Sequence, residues 1–100
     1  MNKVFEMKRY CDKNMYDAAI ENDFNNGLQA ILEHELINNF HDYRLSIETI
    51  DDYEAFEAAF SDFIKSEYGC KLVRIDWCEY RTPFAKRYAE PVALTFRRLI

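Results

Sequence analysis

Six basic residues, Arg74, Arg81, Lys86, Arg87, Arg97 and Arg98, fall near the end of the chain among Trp77, Tyr80, Phe84 and Tyr88. Arg and Lys neutralise phosphates and aromatic faces stack on bases, so segment 74–98 has the chemistry of a small nucleic-acid-binding domain. Its densest part is CEYRTPFAKRYAEP, Cys78 to Pro91, which holds Tyr80, Arg81, Lys86, Arg87 and Tyr88. No RNP, KH or zinc-finger signature accompanies these residues. The sequence pI of about 5.0 is also far from the basic value, above roughly 9, of such domains. A plainer role suits the bases as well: pairing with acids elsewhere while their stems cover apolar surface.

The opposite charge is concentrated in the middle. Residues 21–68 hold twelve acids against only Arg44 and Lys65, a balance of −10 in a chain whose net charge is −5. Within that region Glu48, Asp51, Asp52, Glu54, Glu57 and Asp62 form the densest run of carboxylates. Such a run creates a negative field able to steer a basic partner. On a single helix it is equally a solvated face that keeps a small domain soluble. The functional alternative is a docking surface for another protein's basic groove, one that ordinarily holds DNA or RNA.

Other chemistries find less support. His34 and His41 share a helical face but lie about 10 Å apart along it at 1.5 Å per residue. Cys70 and Cys78 are about 26 Å apart on an extended chain, so neither pair closes on one metal ion. No motif places Cys11, Cys70 or Cys78 beside a histidine, as an activated thiolate requires. Ser46, Ser61 and Ser66 lack a nucleophile-elbow context, and the two glycines, Gly27 and Gly69, build no phosphate loop. Glu35, beside the stripe of the second helix, is the one carboxylate read as partly buried, where burial would raise its pKa. Neither a metal nor a cofactor is expected, and neither is an enzymatic activity.

One hundred residues, 49% of them hydrophobic, make one domain. Apolar runs are far shorter than the roughly 20 residues of a membrane span, so no membrane association is expected. The start, MNKVFEMKRYCDKN, lacks an apolar stretch of signal-peptide length. Three cysteines without paired spacing fit a reducing, cytoplasmic setting.

The elements that must position these residues follow from periodicity. Lys3–Tyr10 alternates Phe5 and Met7 with Glu6 and Lys8, which predicts a first strand. Asp12 or Asn14 caps a helix to about Asp23, with Met15, Tyr16, Ala19 and Ile20 inward. Asn25-Asn26-Gly27 predicts a break. Leu28, Ile31, Leu32, Leu36 and Phe40 then stripe a second helix that frays near 38–41. Tyr43–Ile50 reads as a strand. Asp51 with Glu54 resembles a capping box opening a third helix, whose stripe is Tyr53, Phe56, Phe60, Phe63 and Ile64 and whose stop is Gly69. Segments 71–82 and 92–100 read as strands, the first with Val73, Ile75 and Trp77 on one face. The second places Val92, Leu94, Phe96 and Ile100 together. Pro83 and Pro91 bracket a hairpin loop or a short helical turn over 84–89.

The expected architecture is therefore a single α+β domain over 1–100, ordered β-α-α-β-α-β-β, with three helices on a mostly antiparallel three- or four-stranded sheet. The expected function is that of a small acidic, non-enzymatic protein that binds another protein with a basic surface. Such an inhibitor or regulator would block a nucleic-acid-binding site, as phage or mobile-element antagonists of host defence do. Nucleic-acid binding through Arg81, Lys86, Arg87, Tyr80 and Tyr88 is the alternative. The uneven charge and an exposed edge at 92–100 also allow a homodimer.

Overall fold

The computed structural model describes residues 3–81 and 87–99, with side chains for all of these except 81, 87 and 88. Helix α1 (Lys13–Asn22) starts at Asp12, whose carboxylate accepts from Met15 N–H at 2.8 Å. A single extended residue, Asp23, separates it from α2 (Phe24–Tyr43) and caps that helix by accepting from Asn26 N–H at 3.1 Å. The expected break at Asn25-Asn26-Gly27 is thus the first turn of α2. Gly27 is there for another reason: a Cβ on it would sit against the carbonyl of Ala19, 2.5 Å from the carbonyl carbon and 3.0 Å from Ile20 N. The glycine lets α1 lie directly on α2.

Leu28, Ile31, Leu32, Leu36 and Phe40 are buried, as their spacing predicts, and Glu35 and Asn39 are fully buried beside them. The helix does not fray at 38–41 but runs on to Tyr43, followed by a short 3-10 turn, Arg44–Ser46. The strand expected over Tyr43–Ile50 is therefore absent. Its apparent alternation joins two inward positions, Tyr43 and Ile47, through Leu45, which is 90% exposed.

Helix α3 (Ile50–Tyr68) opens two residues earlier than expected and on a different box, capped by Thr49 instead of Asp51. Thr49 accepts from Asp52 N–H at 3.2 Å, and Asp52 accepts from Thr49 N–H at 3.0 Å. The box is reciprocal: the Thr49 hydroxyl takes the third N–H of the helix while the Asp52 carboxylate reaches back to the Thr49 N–H. Phe56, Phe60 and Ile64 are completely buried, and Gly69 ends the helix at φ 62° with its N–H turned to the carbonyls of Ile64 and Lys65.

Strands β1 (Cys70–Arg81) and β2 (Arg87–Arg98) form one antiparallel hairpin, the only sheet among the described residues. Residues 87–89 belong to β2, which excludes a helical turn there; the rest of the expected loop lies outside the described residues. Pro91 is not a bracket but part of β2, opposite Trp77 beside a register shift that leaves Val92 unpaired. A second shift leaves Val73 unpaired between Leu72 and Arg74. Each bulge flips the pleat, so Cys70, Leu72, Ile75 and Trp77 all face the helices, as do Leu94 and Phe96. Val73 and Val92, expected on that inner face, are instead half exposed, while Ile100 lies outside the described residues.

A two-stranded hairpin is marginal alone. Here α3 covers β1 and α2 covers β2, with a core of Phe5, Phe40, Phe56, Phe60, Ile75 and Leu94 between the layers. The bulges, Pro91 and the exposed Arg97 and Arg98 blunt the outer edge of β2.

The segment expected as the first strand has the side-chain alternation of one but no strand beside it. Its partner is a row of α2 side chains. Tyr43 hydroxyl donates to Glu6 C=O at 2.6 Å and accepts from Glu6 N–H at 3.0 Å. Asn39 accepts from Lys8 N–H at 2.7 Å and donates to Lys8 C=O at 3.0 Å. Glu35 accepts from Tyr10 N–H at 2.8 Å and Cys11 N–H at 3.1 Å. Steps of four residues on a helix advance about 6 Å, and steps of two on an extended chain about 6.6 Å, so the two rows stay in register. The fold is α+β, with three helices and a two-stranded antiparallel sheet.

Candidate protein-docking groove

The first half of α3 and the adjoining part of the hairpin enclose a groove of about 420 Å³. Glu48, Glu54, Glu57 and Glu79 stand around it, Ile50 lies at its margin, and Tyr53 and Trp77 contribute aromatic rings. The two rings meet edge to face, with centroids 5.1 Å apart at 85°. Tyr53 is held in place because its hydroxyl accepts from Ala89 N–H at 2.8 Å and donates to Ala89 C=O at 3.2 Å. Trp77 is fixed by edge contacts to Phe40 and Phe56. The two rings are thus held from several sides, and the described lining of the groove has four glutamates and no basic residue.

Of the six carboxylates singled out in the sequence, Glu48, Glu54 and Glu57 line this groove. Asp51 and Asp62 are exposed on α3 but lie outside its lining. None of these five makes an ion pair among the described residues. Asp52 differs. It is buried, and one oxygen accepts from Glu48 N–H at 2.9 Å, Thr49 N–H at 3.0 Å and the Lys3 ammonium at 3.2 Å. It organises the start of α3.

The two backbone N–H groups, helped by Lys3, hold Asp52 well below the carboxylate range, at about 2. A depressed pKa stabilises the fold above the ordinary value and loses that contribution as the folded-state group protonates. The loss falls between about 3.8 and about 2. Asp52→Asn should therefore be less stable than the parent at neutral pH, with a flatter decline across that acid window. Urea midpoints measured from pH 5 to pH 2 should converge for the two proteins; parallel curves would show that Asp52 is not the titrating group.

Arg74 is paired with Asp76 at 3.0 Å within its own strand, and the Arg98 guanidinium lies over the Phe24 ring at 4.5 Å. Tyr80 is 40% exposed. Backbone register places Tyr80 opposite Tyr88 and Arg81 opposite Arg87, but the side chains at 81, 87 and 88 and all of Lys86 lie outside the described residues.

Two of the three cysteines, Cys11 and Cys70, are buried, and Cys78 is half-buried. Burial first, and the Glu35 charge second, push the Cys11 thiol up to about 11, while burial raises Cys70. Glu35 is buried as a hydrogen-bond acceptor, accepting from the Tyr68 hydroxyl at 2.8 Å besides the two backbone donors. Burial and that bond to Glu35 raise the Tyr68 pKa. Among the described residues no cluster of His, Cys, Asp and Glu is placed to hold a metal ion, and no helix is long and apolar enough to cross a membrane.

Tyr53 and Glu79 are absent from the site residues singled out in the sequence, and Trp77 is there only as an aromatic of the basic segment, not as a neighbour of the acidic run. Tyr53 carries the same helical spacing as the core stripe, and Trp77 the same alternation as its strand. One signal was available: Trp77 is the only tryptophan of the chain and stands two residues from Glu79. No protein-family model, curated protein or solved structure matches this chain.

Proposed function

We propose that this is a non-enzymatic protein-binding protein whose acidic α3 face engages a basic surface on another protein. The observation that carries the reading is that Glu48, Asp51, Glu54, Glu57 and Asp62 are accessible on one helix and its approach, yet none is ion-paired among the described residues. Unneutralised carboxylates beside a low-dielectric wall focus a negative field. Spaced along a helix, they resemble in charge the phosphates that a nucleic-acid-binding groove accepts. The protein then acts as an inhibitor or regulator that competes with nucleic acid for its partner, the mode of action of a phage or mobile-element antagonist of host defence.

A partner recovered by crosslinking and purified should release labelled duplex DNA when the protein is added. The variant with Glu48, Asp51 and Glu54 changed to Lys should fail to displace the DNA. It should still melt within about 12 °C of the parent, since surface substitutions alter stability by only about 0.5 kcal/mol each. Displacement by the variant equal to that of the parent sinks the reading. The protein alone should not bind labelled DNA or RNA at low salt. Salt-sensitive binding lost on reversal of Arg81, Lys86 and Arg87 would favour nucleic-acid binding through the hairpin instead.

A further inference from the structure

The groove has a feature that charge alone does not require: its acidic rim surrounds two rigid aromatic rings. Next to it, sharing Glu48, lies a second depression of about 360 Å³, where Val4, Phe5, Tyr43 and Leu45 line the wall together with Ser46 and Lys3, whose ammonium is turned to Asp52. The three most exposed large apolar side chains of the described residues are Leu45 at 90%, Val4 at 82% and Ile50 at 75%. All three line one or other of these two depressions. Apolar side chains gathered next to polar ones are the anatomy of an interaction surface, in which apolar anchors seat beside charged pairs.

We infer that the Tyr53–Trp77 groove receives an arginine side chain of the partner, and that a neighbouring apolar side chain of the same partner segment seats against Val4 and Leu45. The inference rests on the protein-binding reading above and names what its central contact is. Arginine fits better than lysine for three reasons. Its planar guanidinium can lie on an aromatic face, it can bond a carboxylate with two parallel N–H groups, and it sheds water more readily than an ammonium. The rim supplies carboxylates from both walls of the groove: Glu48, Glu54 and Glu57 from α3 and its approach, Glu79 from β1. The apolar seat adds selectivity, because a purely basic chain leaves it unfilled.

Trp77, as the sole tryptophan, reports occupation of the groove directly. The probe is a short synthetic peptide in which arginine and leucine alternate with serine. Its counterparts carry lysine, neutral citrulline, or alanine in place of leucine. The arginine–leucine peptide should change Trp77 emission saturably and bind at least fivefold more tightly than the lysine peptide, and the citrulline peptide should not bind. Paired Glu54→Gln and Glu57→Gln should weaken binding about tenfold, whereas paired Asp17→Asn and Glu21→Gln, exposed on α1 away from the groove, should change it less than twofold. Leu45→Asp should weaken the leucine peptide but not the alanine one. Salt-sensitive binding with silent Trp77 emission and no response to Glu54 and Glu57 would overturn the groove while leaving the acidic-face reading intact. No binding of either cationic peptide at low salt would overturn both.

Discussion

Glu35→Ala should lower the stability of the protein by about 3–5 kcal/mol, the larger of the two strongest effects expected here. The carboxylate is fully buried and accepts from three donors, Tyr10 N–H, Cys11 N–H and the Tyr68 hydroxyl. Alanine leaves all three without an acceptor, at about 1–3 kcal/mol for each donor left unpaired, and opens a cavity as well. For a domain of this size the loss corresponds to about 15–30 °C in melting temperature. Glu35→Gln is the informative control. Its carbonyl still accepts from the two backbone groups, and its amide can donate to the Tyr68 oxygen, so about 1–2 kcal/mol should be lost. Urea unfolding with an unchanged slope separates the two variants. A loss below about 1 kcal/mol for Glu35→Ala would mean that water replaces the carboxylate, and that the network is not what secures the N-terminal segment.

Gly27→Ala tests packing against propensity, with opposite signs. In a helix alanine is favoured over glycine by about 1 kcal/mol. A methyl at Gly27, however, meets the backbone of Ala19 and Ile20, which has no flexible end to move aside. The variant should be less stable by about 2 kcal/mol in spite of its better helix former. The loss has a ceiling, because α1 has no fully buried residue and can leave while the remaining core stays assembled. Hydrogen exchange should therefore show protection falling about 30-fold across residues 13–22 and holding in α3 and the hairpin. A net gain in stability would show that α1 shifts on α2 at little cost.

How much of this could be read from residues alone depended on where each residue's partner lies. Gly69 was legible because its left-handed φ serves the helix it ends. The stripe Leu28, Ile31, Leu32, Leu36 and Phe40 was legible because one helix face meets one core. Lys3–Tyr10 was half legible: its alternation is real, but nothing local shows that side chains 25 to 37 residues away take the place of a neighbouring strand. Val73 and Val92 were misplaced because a bulge exchanges the two faces without leaving a mark in the hydrophobic pattern. For the groove, the carboxylates Glu48, Glu54 and Glu57 could be seen and the aromatic floor could not. Tyr53 and Trp77 belong to different elements, and only the packing of α3 against β1 brings them together.

The row of α2 side chains that holds the N-terminal segment divides the freedom to change sequence unequally between its two halves. Glu35, Asn39 and Tyr43 act through their side-chain atoms, whereas Glu6, Lys8 and Tyr10 are gripped by the main chain. Any residue other than proline offers the same N–H and C=O at the gripped positions. Substitution can therefore drift at 6, 8 and 10 while the attachment survives, and a single change at 35, 39 or 43 removes a rung. The instructions for placing the start of the chain are written in the helix it lies against.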